Sequence, residues 1–273
     1  MEEIAALVDE YSYISMVSAF SVFIVRDLNW FLTNMQDTEY PGTVYVPPNT
    51  ENEFEYNMIK ANCDHLRLIQ VGISLTNAHG DTPAGETVAW QFNLFFDEAK
   101  EQSIDDSMSM LRQSGFNFEK HKTDGIPHEL LAEYLITSGL CMNRRNHWIT
   151  FHGGVDFGYL LRHLMGTELP QKQDEFLECL KWYFGNFYDC KEIKREIDFL
   201  SGGLGKLAKE LDVDRIGTMH QAGSDAVVTA GVYFKLKAKL QKMWNAAGPK
   251  IEERVNGKLY GIGESVNDDP YIE

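Results

Sequence analysis

Two neighbouring stretches in the first third of the chain are rich in apolar and β-branched residues. Leu66–Asn77 (LRLIQVGISLTN) leads into the turn signal His79-Gly80-Asp81, and Glu86–Phe96 (ETVAWQFNLFF) then resumes the same pattern. Short runs of this composition, bounded by turn residues, are typical of β-strands. The pattern therefore predicts two antiparallel strands.

After these strands, apolar residues recur mainly with the spacing of amphipathic helices, and several of the periodic stretches end near a glycine. Strands that come first and mixed helix–strand units that follow indicate an α/β fold, with a central mixed sheet flanked by helices. The predicted helices are Ser103–Arg112, Pro127–Thr137, Asp156–Met165, Gln171–Phe184, Gly203–Leu211 and Asp225–Met243, with a short strand at His147–Phe151.

The chain has the length and apolar content of one large domain. It has 273 residues, of which 44% are hydrophobic, and this is enough to bury a sizeable core. No repeat, low-complexity tract or Pro/Gly/Ser-rich linker divides it. We therefore predict a single domain over residues 1–263, followed by a loose acidic tail over residues 264–273.

The net charge restricts the kinds of nucleic-acid protein that this chain can be. Its 41 acidic and 25 basic residues give a formal charge of −16, which is unfavourable for a protein that grips phosphates with a broad basic surface. Carboxylates can still face a phosphodiester when divalent cations lie between them. The charge thus argues against a general electrostatic binder but not against a metallonuclease.

Cysteine usage and the N-terminus indicate a soluble protein of the nucleus and cytoplasm, with no membrane partner. The cysteines form no CxxC pair and are interpreted as reduced thiols. Met1-Glu2-Glu3 lacks the basic start of a secretory signal, and the apolar run Tyr13–Val25 is too short to span a bilayer. The four cysteines are Cys63, Cys141, Cys179 and Cys190.

Asp37 and Glu39 form a DxE pair, in the sequence QDTEYPG. On a strand, residues two apart point to the same face, so the two carboxylates would converge on one point. Taken alone the pair is a weak signal, because most such pairs are a solvated strand face or a turn.

Two further acids follow glycines at predicted helix starts. Asp156 follows His152-Gly153-Gly154, and Asp225 follows Gly223-Ser224. The simpler interpretation is capping, since an acid at a helix N-terminus stabilises the helix by ~1 kcal/mol, and Ser224 is a plausible cap. His220 precedes Asp225 on the incoming loop, where a lone histidine is usually a surface side chain.

Together these residues supply the parts of a two-metal hydrolytic site. Two divalent ions ~4 Å apart can clamp the attacking and leaving oxygens of a phosphodiester, and hard cations such as Mg²⁺ prefer carboxylates. A nearby histidine can take the proton of the attacking water, because its pKa lies near neutrality. The inventory by itself does not establish a site.

The surroundings of these residues resemble the Caf/Pop-type deadenylases, which are catalytic subunits of the Ccr–Not complex within the DEDD exonuclease superfamily. The resemblance runs from about Leu7 to Gly263, and the ordered set of motifs is far more specific than any one of them. The matching stretches are Asp37–Gly42, Asn62–Asp64, Leu68–Gly72, Trp90–Asn93, Phe151–Gly153, Asp156–Leu160, Tyr188–Asp189, Gly202–Leu204, Arg215–Gly217, His220–Asp225 and Leu259–Gly261.

This resemblance implies a ribonuclease-H-like fold with Asp37 and Glu39 on the first strand. It implies Asp37, Glu39, Asp156 and Asp225 as ligands of two divalent ions, Mg²⁺ or Mn²⁺, and His220 as general base. The implied reaction shortens poly(A) tails from the 3′ end and releases 5′-AMP. The implied partners are poly(A) RNA, the large Not scaffold protein and a second deadenylase. Asp64 and Asp189 are expected to be structural or to support the metal ligands. His152 could reach the site, but a structural hydrogen-bonding role is the favoured interpretation.

The chain departs from the family at its first strand. There the strand continues directly into the DxE motif, whereas here Tyr11–Met16 matches the strand and Val17–Gln36 intervenes without a counterpart. The segment has helical spacing from Phe23 to Met35 and could form an apolar helix, or Trp30–Gln36 could replace the displaced strand. A slip of one residue would turn both acids of the motif off the active face.

Two origins of the segment Val17–Gln36 remain open. Every Val codon begins with GU and one Gln codon ends in AG, so the segment has the borders of an in-frame retained intron. The alternative is a genuine insertion in this lineage. Transcripts that join Met16 directly to Asp37 would identify an intron.

Two other functions share this set of residues. A deadenylase-like subunit that docks in the Ccr–Not complex but cleaves poorly is favoured only by the inserted segment, since every expected catalytic residue type is present. A DNA-directed proofreading exonuclease would use the same acids, but the contexts of Asp156–Leu160 and His220–Asp225 favour a deadenylase.

Overall fold

The computed structural model describes residues 1–20, 23–24, 42–43, 54–85, 87–101, 105–197, 200, 202–243 and 251–263. Asp37, Glu39 and the segment 264–273 lie outside the described residues, so the predictions made for them are not tested by the fold.

A five-stranded mixed sheet forms the centre of the molecule. Its strand order is β5-β4-β1-β6-β7, in which β4 runs antiparallel to β1 and β5, while β6 and β7 run parallel to β1. The predicted central mixed sheet is therefore confirmed. The five strands are β1 (Tyr13–Phe20), β4 (Leu68–Thr76), β5 (Trp90–Asn93), β6 (His147–Thr150) and β7 (Asn186–Asp189), and a separate parallel pair is formed by β2 (Phe23–Ile24) and β3 (Gly42–Thr43).

Helices cover both faces of this sheet. Among the described helices, none is long and apolar enough to cross a membrane. The helices are α1 (Glu2–Leu7), α2 (Phe54–His65), α3 (Asp105–Gln113), α4 (Phe118–Asp124), α5 (His128–Thr137), α6 (Gly154–Met165), α7 (Gln173–Tyr183), α8 (Cys190–Arg195), α9 (Leu204–Glu210), α10 (Ala222–Met243) and α11 (Ile251–Val255).

The sheet separates two apolar cores. On one face, Ile14 and Met16 of β1 pack with buried residues of α1, α2, α5, α6 and α7. On the other face, Tyr13, Ile149 and Tyr188 pack with α8, α9, α10 and α11. This arrangement follows from the alternation of side chains along a strand, which sends successive residues of β1 to opposite faces.

The first strand differs from its prediction. β1 begins at Tyr13 and continues through Val17–Phe20, so the start of the inserted segment is part of the central sheet. Asp37 and Glu39 lie outside the described residues, so their expected placement on the first strand stays a prediction. Phe23, the first residue of the helical spacing in the segment, lies instead in the short strand β2.

Most of the other predicted elements are confirmed within a few residues, including the strands β4 and β5 and their antiparallel pairing. One boundary matters for the site: α10 begins at Ala222, so Ser224 lies inside its first turn and does not cap it. The elements that were not predicted are α1, α2, α4, α8, α11, β2, β3 and β7. Because α2 buries polar Asn62 as well as apolar residues, its sequence lacks a clean apolar stripe.

Candidate active site

The candidate site lies where β1 extends beyond its neighbour β6. β1 pairs with β6 only through Ser15, whereas its pairing with β4 continues to Phe20. The edge of β1 beyond Ser15 therefore needs another acceptor, since backbone N–H groups inside a protein are almost always paired. Asp156 supplies it: the backbone N–H and the hydroxyl of Ser18 both donate to its Oδ1 atom, each at 2.6 Å.

Asp156 lies in the first turn of α6 and is 5% exposed. Gly153 holds the N-cap position, so Asp156 is not the cap residue itself but the acid of the first turn. Burial raises the pKa of its carboxyl to about 7, and the nearby Asp189 charge adds to this rise, while the hydrogen bonds from Ser18 oppose it. The site thus contains a buried acid that titrates near neutrality.

A second buried acid, Asp189, fixes the turn that leads into α6 and so to Asp156. Its carboxylate accepts backbone hydrogen bonds from four residues, two of which lie in the turn between β6 and α6. This confirms the expected structural role of Asp189. The four donors are the N–H groups of His152 (2.7 Å), Gly153 (3.1 Å), Lys191 (2.9 Å) and Tyr260 (3.1 Å).

His152 lies within this turn. Its backbone has φ 59°, its ring lies edge-on to Tyr260, and burial followed by the Lys191 and Lys194 charges lowers its pKa to about 3. Its Nδ1 lies 3.4 Å from Lys191 Nζ, so the described contacts of the ring are with residues that surround the turn. Asp64 has a structural role, because its carboxylate bonds Lys60 and the backbone N–H of Leu169.

The start of α10 docks on the opposite face of β1 and β4. The N–H of Ala222 donates to Gln70 Oε1 at 2.9 Å, and the N–H of Gly223 donates to Gln91 Oε1 at 3.0 Å. Because the first N–H groups of a helix have no partner within it, these two glutamines satisfy and position the helix end. Gly72 permits the approach, since a Cβ atom there would lie 2.0 Å from the Ala222 carbonyl.

Gln221 completes this polar network. Its Oε1 accepts from Gln91 Nε2 at 2.8 Å and from Gln70 Nε2 at 3.3 Å, while its Nε2 donates to the Ser114 carbonyl. None of the three glutamines was among the predicted site residues. The available signal was Gln70 itself, a polar side chain within an otherwise apolar strand sequence.

This docking places Asp225 and His220 beside each other. His220 lies in the turn before α10 with φ 65°, and its backbone forms a hydrogen bond with the Asp225 carboxylate. Arg215, which was also missed, donates from Nη1 to Asp225 and to Ser224 Oγ. Burial raises the pKa of Asp225, and the hydrogen bond and charge of Arg215 oppose this shift.

Val17 and Ala19 face the start of α10. Val17 pairs with Gly72 and Ala19 pairs with Gln70, and directly paired residues of antiparallel strands share a face. Gly72 and Gln70 are the residues that contact Ala222. The two strand positions on the side of Asp225 therefore carry aliphatic side chains.

The described residues alone do not fit a two-metal centre. Within the described part of the chain, no group of three or more His, Cys, Asp or Glu side chains could hold a metal ion. Asp156 and Asp225 approach β1 from its two faces, whereas Asp37 and Glu39 lie outside the described residues. A complete centre requires carboxylates beyond the two that the structure places.

Comparison with known proteins identifies the relatives of this architecture. No family model matches the chain. A probable CCR4-associated factor 1 homolog of Arabidopsis thaliana is 40% identical over 235 residues, which cover 83% of each chain. The chain belongs to the CCR4-associated factor 1/Pop2 family. The poly(A) ribonuclease pop2 of Schizosaccharomyces pombe is 37% identical over 232 residues, 84% of this chain and 67% of that protein.

Solved structures of this family share the fold. S. pombe Pop2p, in its Mg²⁺- and Mn²⁺-bound form, superimposes with a TM-score of 0.80 at 33% identity, covering 96% of this chain and 94% of that chain. The yeast CAF1/NOT1 MIF4G co-crystal structure gives 0.73 at 28% identity, covering 95% and 91%. The fold is ribonuclease-H-like, with β5-β4-β1-β6-β7 as its five-stranded sheet.

Proposed function

We propose that this protein is a metal-dependent 3′→5′ exoribonuclease that shortens the poly(A) tails of messenger RNA and releases 5′-AMP. The observation that carries the proposal is the 37% identity to a poly(A) ribonuclease over most of the chain. The architecture supports it, because two buried acids and a histidine lie around the extended end of β1.

The proposed metal ligands are Asp37, Glu39, Asp156 and Asp225, and the proposed cofactors are two divalent ions, Mg²⁺ or Mn²⁺. A Pop2 relative binds both ions. When bound, such ions neutralise charge on the phosphodiester and favour an ionised water. Asp156 and Asp225 suit this role because each lies in the first turn of a helix that docks on the sheet. Rigid helix starts hold carboxylates in a defined geometry.

The proposed general base is His220. The support is that His220 immediately precedes Gln221 in the turn before α10 and that its backbone contacts the carboxylate of Asp225, a proposed ligand. A histidine at this point can accept the proton of the attacking water. The glutamines act indirectly, because they set the position of α10 and with it Asp225 and His220.

The partners and the location belong to the same proposal. A family member has been co-crystallised with the MIF4G domain of NOT1, and this supports a Not scaffold protein as partner. We extend the proposal to poly(A) RNA as substrate, to a second deadenylase in the same assembly, and to action in the nucleus and cytoplasm. The catalytic unit would be the single domain of residues 1–263.

The test uses 5′-labelled RNA with an A-tail, purified protein and Mg²⁺. We expect at least one of two protein forms, the intact chain or the form without Val17–Gln36, to shorten the RNA from its 3′ end. The products should form a ladder of progressively shorter RNAs. Asp225→Asn, a nearly isosteric change, should remove this activity from the active form. An RNA of equal length that ends in uridines measures adenosine selectivity. Absence of Asp225-dependent shortening by both forms would contradict the proposed function.

A further inference from the structure

Removal of Val17–Gln36 would join Met16 directly to Asp37. Asp37–Tyr40 would then follow the strand in the same order in which Val17–Phe20 follow it now. Val17–Phe20 therefore occupies the end of β1, the position that Asp37–Tyr40 would follow into if the segment were removed.

The two tetrapeptides, VSAF and DTEY, are alike at alternate positions. The second residue carries a β-hydroxyl in both (Ser18 or Thr38), and the fourth is aromatic in both (Phe20 or Tyr40). They differ at the first and third positions, where Val17 and Ala19 stand in place of two carboxylates.

This alternation coincides with the two faces of the strand. The shared hydroxyl position lies towards α6, where Ser18 bonds Asp156 through both its hydroxyl and its backbone N–H. A threonine can donate the same two hydrogen bonds. The differing positions lie towards α10, because Val17 and Ala19 pair with the residues that contact Ala222.

The packing of the substitute strand end is compatible with the fold. Ala19 packs against a small apolar cluster that includes Ile69, Phe96 and Met108, and the register of β1 shifts between Ala19 and Phe20. Such irregularities redirect side chains at the end of a strand and are common beside active sites. The segment thus extends β1 without breaking its pairing with β4.

We propose that Val17–Phe20 is a carboxylate-free substitute for Asp37–Tyr40, so that the chain containing Val17–Gln36 folds with two ligand positions of β1 left blank. Loss of the segment converts this form into one with a complete acidic set. The inference rests on the proposed function, and it makes the segment an on/off device for metal binding. It holds whether the segment is a retained intron or a lineage insertion.

The first test rebuilds the acidic pair in the intact chain with V17D/A19E. The matched control is V17N/A19Q, which has nearly the same shape without charge. Mn²⁺ affinity is measured by titration calorimetry and by electron paramagnetic resonance, alongside shortening of A-tailed RNA. We expect V17D/A19E to bind Mn²⁺ at least about 100-fold more tightly than the intact chain, since even indirect partners of a metal contribute about 10–100-fold. The control should remain at the level of the intact chain.

The second test deletes Val17–Gln36 and keeps the proposal falsifiable if V17D/A19E does not fold. The deletion form should bind Mn²⁺ and shorten the RNA, and D37V/E39A within it should remove both while circular dichroism stays unchanged. An intact chain that matches the deletion form in Mn²⁺ affinity would overturn the inference and leave the proposed function standing. A deletion form that neither binds Mn²⁺ nor cleaves RNA would overturn both.

Discussion

The two halves of β1 have different environments. Tyr13–Met16 is fully buried, pairs with β4 along its length, and also pairs with β6 over Tyr13–Ser15. Among the described strands, Val17–Phe20 pairs only with β4, and Val17 and Ala19 are half-buried. Packing therefore restricts which residues the first half can contain, whereas side chains of the second half are exposed enough to take part in a site.

This difference shows where the central strand tolerates a change of sequence. A change at Ile14 or Met16 would disturb the apolar core against α6. A change from Val17 onwards needs only a residue that can extend the strand and a hydroxyl that can reach Asp156. The end of β1 therefore constrains its sequence less than the first half does.

Truncation of one apolar side chain in each half of β1 tests whether the two halves differ in their contribution to stability. Ile14→Ala removes a fully buried side chain, and we expect it to lower the free energy of unfolding by about 2–5 kcal/mol. Val17→Ala removes methyl groups from a half-buried position and should cost about 1 kcal/mol or less. Urea unfolding followed by circular dichroism measures both.

Both variants should keep the urea m-value of the parent chain, because neither changes the surface exposed on unfolding by much. Equal losses at Ile14 and Val17 would contradict the division of β1 into a packing half and a site half.

The pH dependence of stability tests the environment of Asp156, the acid that contacts the second half of β1. Burial raises the pKa of this carboxyl from 3.8 to about 7, so the folded protein binds the proton more tightly than the unfolded chain does. Its contribution is fully present below pH 3.8, falls as the pH rises, and is gone above about pH 7. The decrease amounts to at most about 4 kcal/mol.

Asp156→Asn serves as the control, because it keeps the shape of the side chain and cannot titrate. The free energy of unfolding of both proteins is measured with a chelator across this pH range. The value for the parent chain minus that for Asp156→Asn should decrease as the pH rises. A difference that does not change with pH would contradict a raised pKa at Asp156.

Periodicity predicted the elements whose sequence follows one pattern. The strand β4 and the helices α5, α6 and α7 were located because apolar residues repeat along them. The end of β1 was not located, since Val17–Phe20 is a continuation of an apolar run that also permits a helix. Only pairing with β4, a contact distant in sequence, selects the strand.

The site was predictable to a similar extent. Asp156, Asp225 and His220 were named through motifs that resemble a known family, and the structure brings Asp225 and His220 together. Gln70 and Gln91 were missed because their role depends on where α10 docks. Spacing within one element reports which side chains share a face, whereas a bond between a strand and a distant helix start depends on the tertiary fold.

The smallest expected difference is between the stability losses caused by removing the hydroxyls of the two serines, Ser15 and Ser18. Ser18→Ala removes a hydroxyl that donates to the Asp156 carboxyl at 2.6 Å, whereas Ser15→Ala removes one that donates to the Ser74 carbonyl at 3.3 Å. We expect losses of about 1.5–3 and about 0.5–1.5 kcal/mol at pH 8, because hydrogen bonds to charged acceptors are stronger. Below pH 4 the Asp156 carboxyl is protonated, and the two losses should converge.

Because the Ser18 hydrogen bonds hold the pKa of Asp156 down, Ser18→Ala should also move the pH-dependent decrease in stability to higher pH. A Ser18→Ala loss that is the same at pH 4 and pH 8 would mean that this hydroxyl does not favour the ionised carboxylate, and that the second half of β1 contributes to stability in the same way as the first.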